Sequence, residues 1–145
     1  MVIGIVGLVM LLAPCVIMDL RKKELPLVYM LIFLPLSAAW NLFFARITLW
    51  DMVFGLLTGG VFLLVSWGTR GAIGFGDGVM MGATGVWMGG LFVIGASMAA
   101  FLTAGIFGII YLKIRKLDRK TKLPFAPFFT AACLTMAVIG ALQGG

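Results

Sequence analysis

Six apolar stretches, at about residues 1–18, 25–45, 49–68, 72–88, 91–112 and 124–143, alternate with short polar connections along the chain. Each approaches the roughly 20 residues that carry a helix across a hydrocarbon core about 30 Å thick. The boundary between the fourth and fifth needs an argument, because no charged residue occurs between Asp77 and Lys113. One helix through that whole stretch would run to about 52 Å at 1.5 Å per residue, too long for a single span. Gly89-Gly90 has the backbone freedom for a tight turn that divides it. The pattern predicts an all-α membrane protein of about six transmembrane helices, with residues 1–145 forming one domain.

The polar positions orient that bundle. With six spans, the first, third and fifth connections share one side of the membrane. They carry Arg21, Lys22 and Lys23, then Arg70, then Lys113, Arg115, Lys116, Arg119, Lys120 and Lys122, leaving only Arg46 opposite. Basic connections stay in the cytoplasm, so both termini are expected outside it. Five spans would instead put the two basic clusters on opposite sides. Asp19 and Asp77, each abutting a span, are then expected on the cytoplasmic face of the membrane.

Composition agrees. The chain is 63% hydrophobic and 11% charged, with a mean hydropathy of +1.19, whereas a soluble domain has about 25% charged residues. The net charge of +6 resides in short runs between apolar segments, which marks topology rather than a nucleic-acid surface. There is no histidine, and Cys15 and Cys133 lie inside apolar runs, so a zinc site lacks its ligands and the cysteines read as small packing residues. Met1 to Met18 lacks a basic leading region and reads as a retained span. Leu12-Ala13-Pro14-Cys15 has the outline of a lipoprotein cleavage site, which Pro14 argues against. Gly78 and Gly82, and Gly85 and Gly89, have the four-residue spacing of close helix packing, read here as contact within the bundle.

Five acids remain. Glu24 and Asp118 stand among bases and read as solvated or paired, and Asp51 begins a span where an acid favours a helix N-terminus. Asp77 closes the glycine-rich run Gly74-Phe75-Gly76-Asp77 and is followed by Gly78. Alone, it could be a helix cap, and Asp19 could be the partner of Arg21, Lys22 or Lys23. Together, two ionisable residues at one membrane edge point to a functional site. If they share it, like-charge repulsion lets the pair hold one proton, so one carboxylate can take a proton from water while the other polarises a peptide carbonyl. That chemistry uses neither a metal nor another cofactor.

Three segments in order resemble the type IV prepilin peptidases, membrane aspartic peptidases of the G-x-G-D kind. Asp19-Leu20-Arg21-Lys22-Lys23-Glu24-Leu25-Pro26 resembles the stretch after their first helix. Gly74-Phe75-Gly76-Asp77 resembles their G-x-G-D motif, and Leu123-Pro124-Phe125-Ala126-Pro127 resembles the entry to their last helix. The resemblance implies Asp19 and Asp77 as the catalytic pair, with Gly74, Gly76, Gly78, Pro26, Pro124 and Pro127 as backbone support. It implies, as substrate, a pilin-like precursor that loses a short basic leader at the cytoplasmic membrane boundary before a hydrophobic helix, in a type IV pilus or secretion system. Three departures accompany it. Val79 stands where many members have lysine, and Leu27 where many have a polar residue. There is also no room for the N-terminal methyltransferase region with paired C-x-x-C motifs, so the short, peptidase-only form is expected. Two other readings of the same aspartates are a small proton-coupled transporter and a non-catalytic assembly factor.

Overall fold

A computed structural model describes residues 2–44, 47–70, 74–115 and 123–144. All six apolar stretches form helices: α1 (Val2–Lys22), α2 (Leu27–Phe44), α3 (Leu49–Gly68), α4 (Phe75–Met88), α5 (Gly90–Arg115) and α6 (Ala126–Gln143). There is no strand among the described residues. Five of the helices are long and apolar enough to cross a membrane.

α4 departs from expectation. The apolar run 72–88 yields only 14 helical residues, about 21 Å at 1.5 Å per residue, short of the roughly 30 Å core. Its position explains how this is tolerated: every residue from Gly78 to Trp87 is buried. α4 is the centre of the bundle, and its neighbours meet the lipid in its place.

Glycine brings α3 and α4 together. A Cβ at Gly59 would lie 2.5 Å from the Cα of Gly82, and Cβ atoms at Gly55 and Gly85 would each strike the other's backbone. In lipid, where apolar burial does not drive helices together, such backbone approach supplies the packing. The Gly78/Gly82 spacing therefore acts within the chain, as expected. Its complement, Gly55 and Gly59 on α3, carries the same four-residue signal and was missed.

The ends of α4 are also set by glycine. Gly89 has φ +102, a conformation that side chains other than hydrogen resist, and its amide donates to the Gly85 carbonyl at 2.8 Å. The expected break at Gly89-Gly90 is there, leading directly into α5. Asn41 of α2 donates its Nδ2 to the Val86 carbonyl at 2.8 Å, meeting one of the acceptors that a helix C-terminus leaves open. Trp87 donates Nε1 to the Gly4 carbonyl of α1 at 2.9 Å and lies over Gly7.

α1 continues past residue 18 and contains Asp19, which the sequence placed after the helix. Arg21 and Lys22 occupy its last turn, where cations favour the dipole. Lys23 closes it with φ 53, its amide donating to the Asp19 carbonyl at 3.0 Å. Asp51 stands in the first turn of α3, as expected. Cys15 and Cys133 are free thiols buried in the core.

Candidate functional site

Three segments distant in sequence meet at the end of the bundle where α1 finishes and α4 and α6 begin. α6 opens with Phe125 at its N-cap, a side chain with no acceptor, and with proline in its first turn. Proline is suited to that place because its missing N–H has no intrahelical partner there anyway. Ala126 still has an amide to satisfy, and Asp19 meets it: Oδ2 accepts the Ala126 N–H at 2.9 Å. A carboxylate from another helix thus caps α6, where the positive end of the dipole favours an anion. Asp19 is only 7% exposed. Pro124 and Pro127 flank this junction, the former in the non-helical entry and the latter inside α6.

Asp77 sits in the first turn of α4, its amide donating to the Gly74 carbonyl at 3.1 Å. Each glycine of the motif clears a different neighbour. A Cβ at Gly74 would lie 2.8 Å from Asp77 Oδ2, one at Gly76 would lie 2.8 Å from Leu25 Cβ, and one at Gly78 would lie 3.0 Å from the Leu63 amide nitrogen and side chain. Gly74 leaves space for the carboxylate, Gly76 admits the α1–α2 link, and Gly78 admits α3. The sequence showed these glycines as a motif without showing Leu25 and Leu63, which come from other parts of the chain.

Asp19 and Asp77 are close enough to interact electrostatically. The charge of Lys23 also reaches Asp19. The two aspartates singled out in the sequence therefore lie on the same end of the bundle, with Leu25, Pro26 and the start of α6. Glu24 is exposed, and Asp118 lies outside the described residues. Val79, at the position where the resembled family often has lysine, is packed in the hydrophobic core with Met80 and Met81. A charge there would enter an apolar environment, at high cost unless it were paired.

The helix that follows Pro26 is tied to α1 by a side chain. Tyr29, in the first turn of α2, donates its hydroxyl to the Met10 carbonyl at 2.6 Å. Met10 stands nine positions before Asp19 in α1, about 14 Å at helical rise. This bond ties the first turn of α2 to the middle of α1 through the length of the tyrosine side chain, and non-helical residues 23–26 link the two helices. Leu25 of this link packs against Gly76, the residue before Asp77.

Residues 5–112 match the model of the type IV leader peptidase family. Over 56 residues, the chain is 38% identical to a prepilin leader peptidase/N-methyltransferase from Legionella pneumophila. That stretch is 39% of this chain and 20% of the relative, so the chain matches about a fifth of the relative's length. No solved structure matches the chain.

Proposed function

The chain belongs to the type IV leader peptidase family, and from that premise we propose that it is a membrane-embedded aspartic endopeptidase with Asp19 and Asp77 as its catalytic pair. Its substrate is a pilin-like precursor, cut between a short basic leader and a hydrophobic helix at the cytoplasmic boundary of the inner membrane. Both termini face away from the cytoplasm. The observation that carries this reading is that two aspartates from different helices, Asp19 at the α6 N-terminus and Asp77 in the first turn of α4, lie at one end of the bundle within reach of each other's charge.

The chemistry follows from two carboxyl groups that hold one proton between them. The ionised group takes a proton from water as the water oxygen bonds to the scissile carbonyl carbon. The protonated group gives its proton to the carbonyl oxygen, where negative charge develops. Collapse of the tetrahedral intermediate breaks the C–N bond, and a proton from the dyad leaves with the amine. The non-helical link at residues 23–26 borders the pair, with Leu25 packed on Gly76. The basic connections on this face do not attract a basic leader, so recognition rests on the hydrophobic helix and its geometry. Neutralising the leader's bases is expected to leave the cut unchanged by intact mass.

The bond from Ala126 to Asp19 favours a second reading, in which Asp19 is only a structural cap and the chain is a non-catalytic assembly factor. Co-expression with candidate pilin-like precursors, read by intact mass, separates the two. Cleavage by wild type and not by Asp19→Asn or Asp77→Asn supports the dyad. Cleavage that survives either substitution rejects it, and the absence of cleavage by any version favours the assembly factor or a proton-coupled transporter.

A further inference from the structure

Pro14 lies inside α1, five residues before Asp19. A proline there has no N–H to donate to the carbonyl four residues back, and its ring crowds that carbonyl. The orphaned acceptor is the Met10 carbonyl, on a residue whose side chain is 61% exposed. In a membrane, an acceptor on that face meets hydrocarbon and has no water to turn to. The Tyr29 hydroxyl donates to this oxygen at 2.6 Å. The adjacent carbonyl, Leu11, accepts from the Cys15 thiol at 3.2 Å. Both carbonyls in the turn opened by Pro14 therefore have side-chain donors, and the donor to Met10 comes from another helix.

Tyr29 is held from behind. Its ring neighbours Phe33 at 6.3 Å between centroids, and Phe33 meets Trp87 edge-on at 5.7 Å. Trp87 is in turn bonded to the Gly4 carbonyl. The hydroxyl thus fixes the middle of α1 against α2, and α2 against the central helix. Below the opened turn, α1 runs without another proline to Asp19, whose carboxylate reaches both the α6 N-terminus and the field of Asp77.

The geometry points to Tyr29 as a positioning residue: its hydroxyl replaces the amide that Pro14 withholds from the Met10 carbonyl, fixing the turn through which α1 presents Asp19 to Asp77. This rests on the peptidase reading for its effect on turnover, but not for its effect on the helix.

The test uses the full chain in lipid nanodiscs as wild type, Tyr29→Phe, Pro14→Ala and the double variant. Pro14→Ala returns an amide to the Met10 carbonyl and should make the hydroxyl dispensable. In a Cys15→Ala/Cys133→Ala background, spin labels at Leu20 and Phe75 report the spacing between the ends of α1 and α4. The expected result is a broadened distance distribution in Tyr29→Phe and a narrow one in the double variant. With a cleavable precursor, Tyr29→Phe should lower kcat on the order of tenfold to a hundredfold with KM unchanged, as displacement of a reacting group does. The same substitution should have no effect on top of Pro14→Ala. An unchanged distribution in Tyr29→Phe, or equal damage with and without Pro14, overturns the proposal. If wild type cleaves nothing while the label distances follow the cycle, the positioning of the helix stands and the peptidase reading fails.

Discussion

Because Asp19 caps α6 and is also one of the two proposed catalytic carboxyls, its substitutions separate structure from chemistry. Asparagine retains an oxygen for the Ala126 amide but loses the charge, so Asp19→Asn should fold normally and lose cleavage by about 10²-fold or more, the usual scale of a general acid–base group. Asp19→Ala should also lose stability, by about 1 kcal/mol as for other N-cap deletions, seen as a lower thermal midpoint in detergent. Gly74→Ala tests the neighbouring aspartate. The new methyl would meet only the end of a mobile carboxylate, at 2.8 Å, so cleavage should fall while the thermal midpoint barely moves. Both aspartates were legible in the sequence, since charge in so apolar a chain stands out. The Ala126 amide was not, because a backbone donor has no signature in side-chain chemistry and becomes visible only when Phe125, at the N-cap, proves unable to serve it.

Adjacent glycines on α3 give a sharp contrast in packing. Gly59 faces the Gly82 backbone, whereas a Cβ at Gly60 would meet nothing within 4 Å. Gly59→Ala should therefore cost about 1–3 kcal/mol through overpacking. Gly60→Ala should be neutral or gain up to about 1 kcal/mol from helix propensity. Equal thermal midpoints for the two would contradict the close crossing. Gly89→Ala should cost about 1–3 kcal/mol for a different reason, backbone strain at φ +102. The sequence indicated the turn at Gly89-Gly90 because an uncharged stretch too long for one helix requires a break. It did not indicate the length of α4, since hydropathy continues to residue 72 whether or not the backbone is helical. Nor did it reveal the tie between α2 and α1, which depends on Tyr29 reaching a carbonyl on another helix.

Six apolar runs became six helices, and the arrangement that puts the first, third and fifth connections together brought Asp19, Asp77 and the α6 entry to one end. Much of the architecture was therefore written in the spacing of charges. The burial of α4 was not, because a central helix and a lipid-facing one can share a composition when neither has a charged face. Tags at the two ends of the full chain should both be accessible from outside the cytoplasm, as read by impermeant labelling of intact cells; a protected tag would reverse the orientation. The brevity of α4 bears on biogenesis. A 14-residue segment containing Gly76, Gly78, Gly82 and Gly85 is a weak candidate for partitioning by itself from the translocon into lipid. The close fit of its glycines against Gly55 and Gly59 of α3 means that entry of α4 into lipid is expected to be coupled to that of α3, the two inserting as a hairpin that carries Asp77 with it.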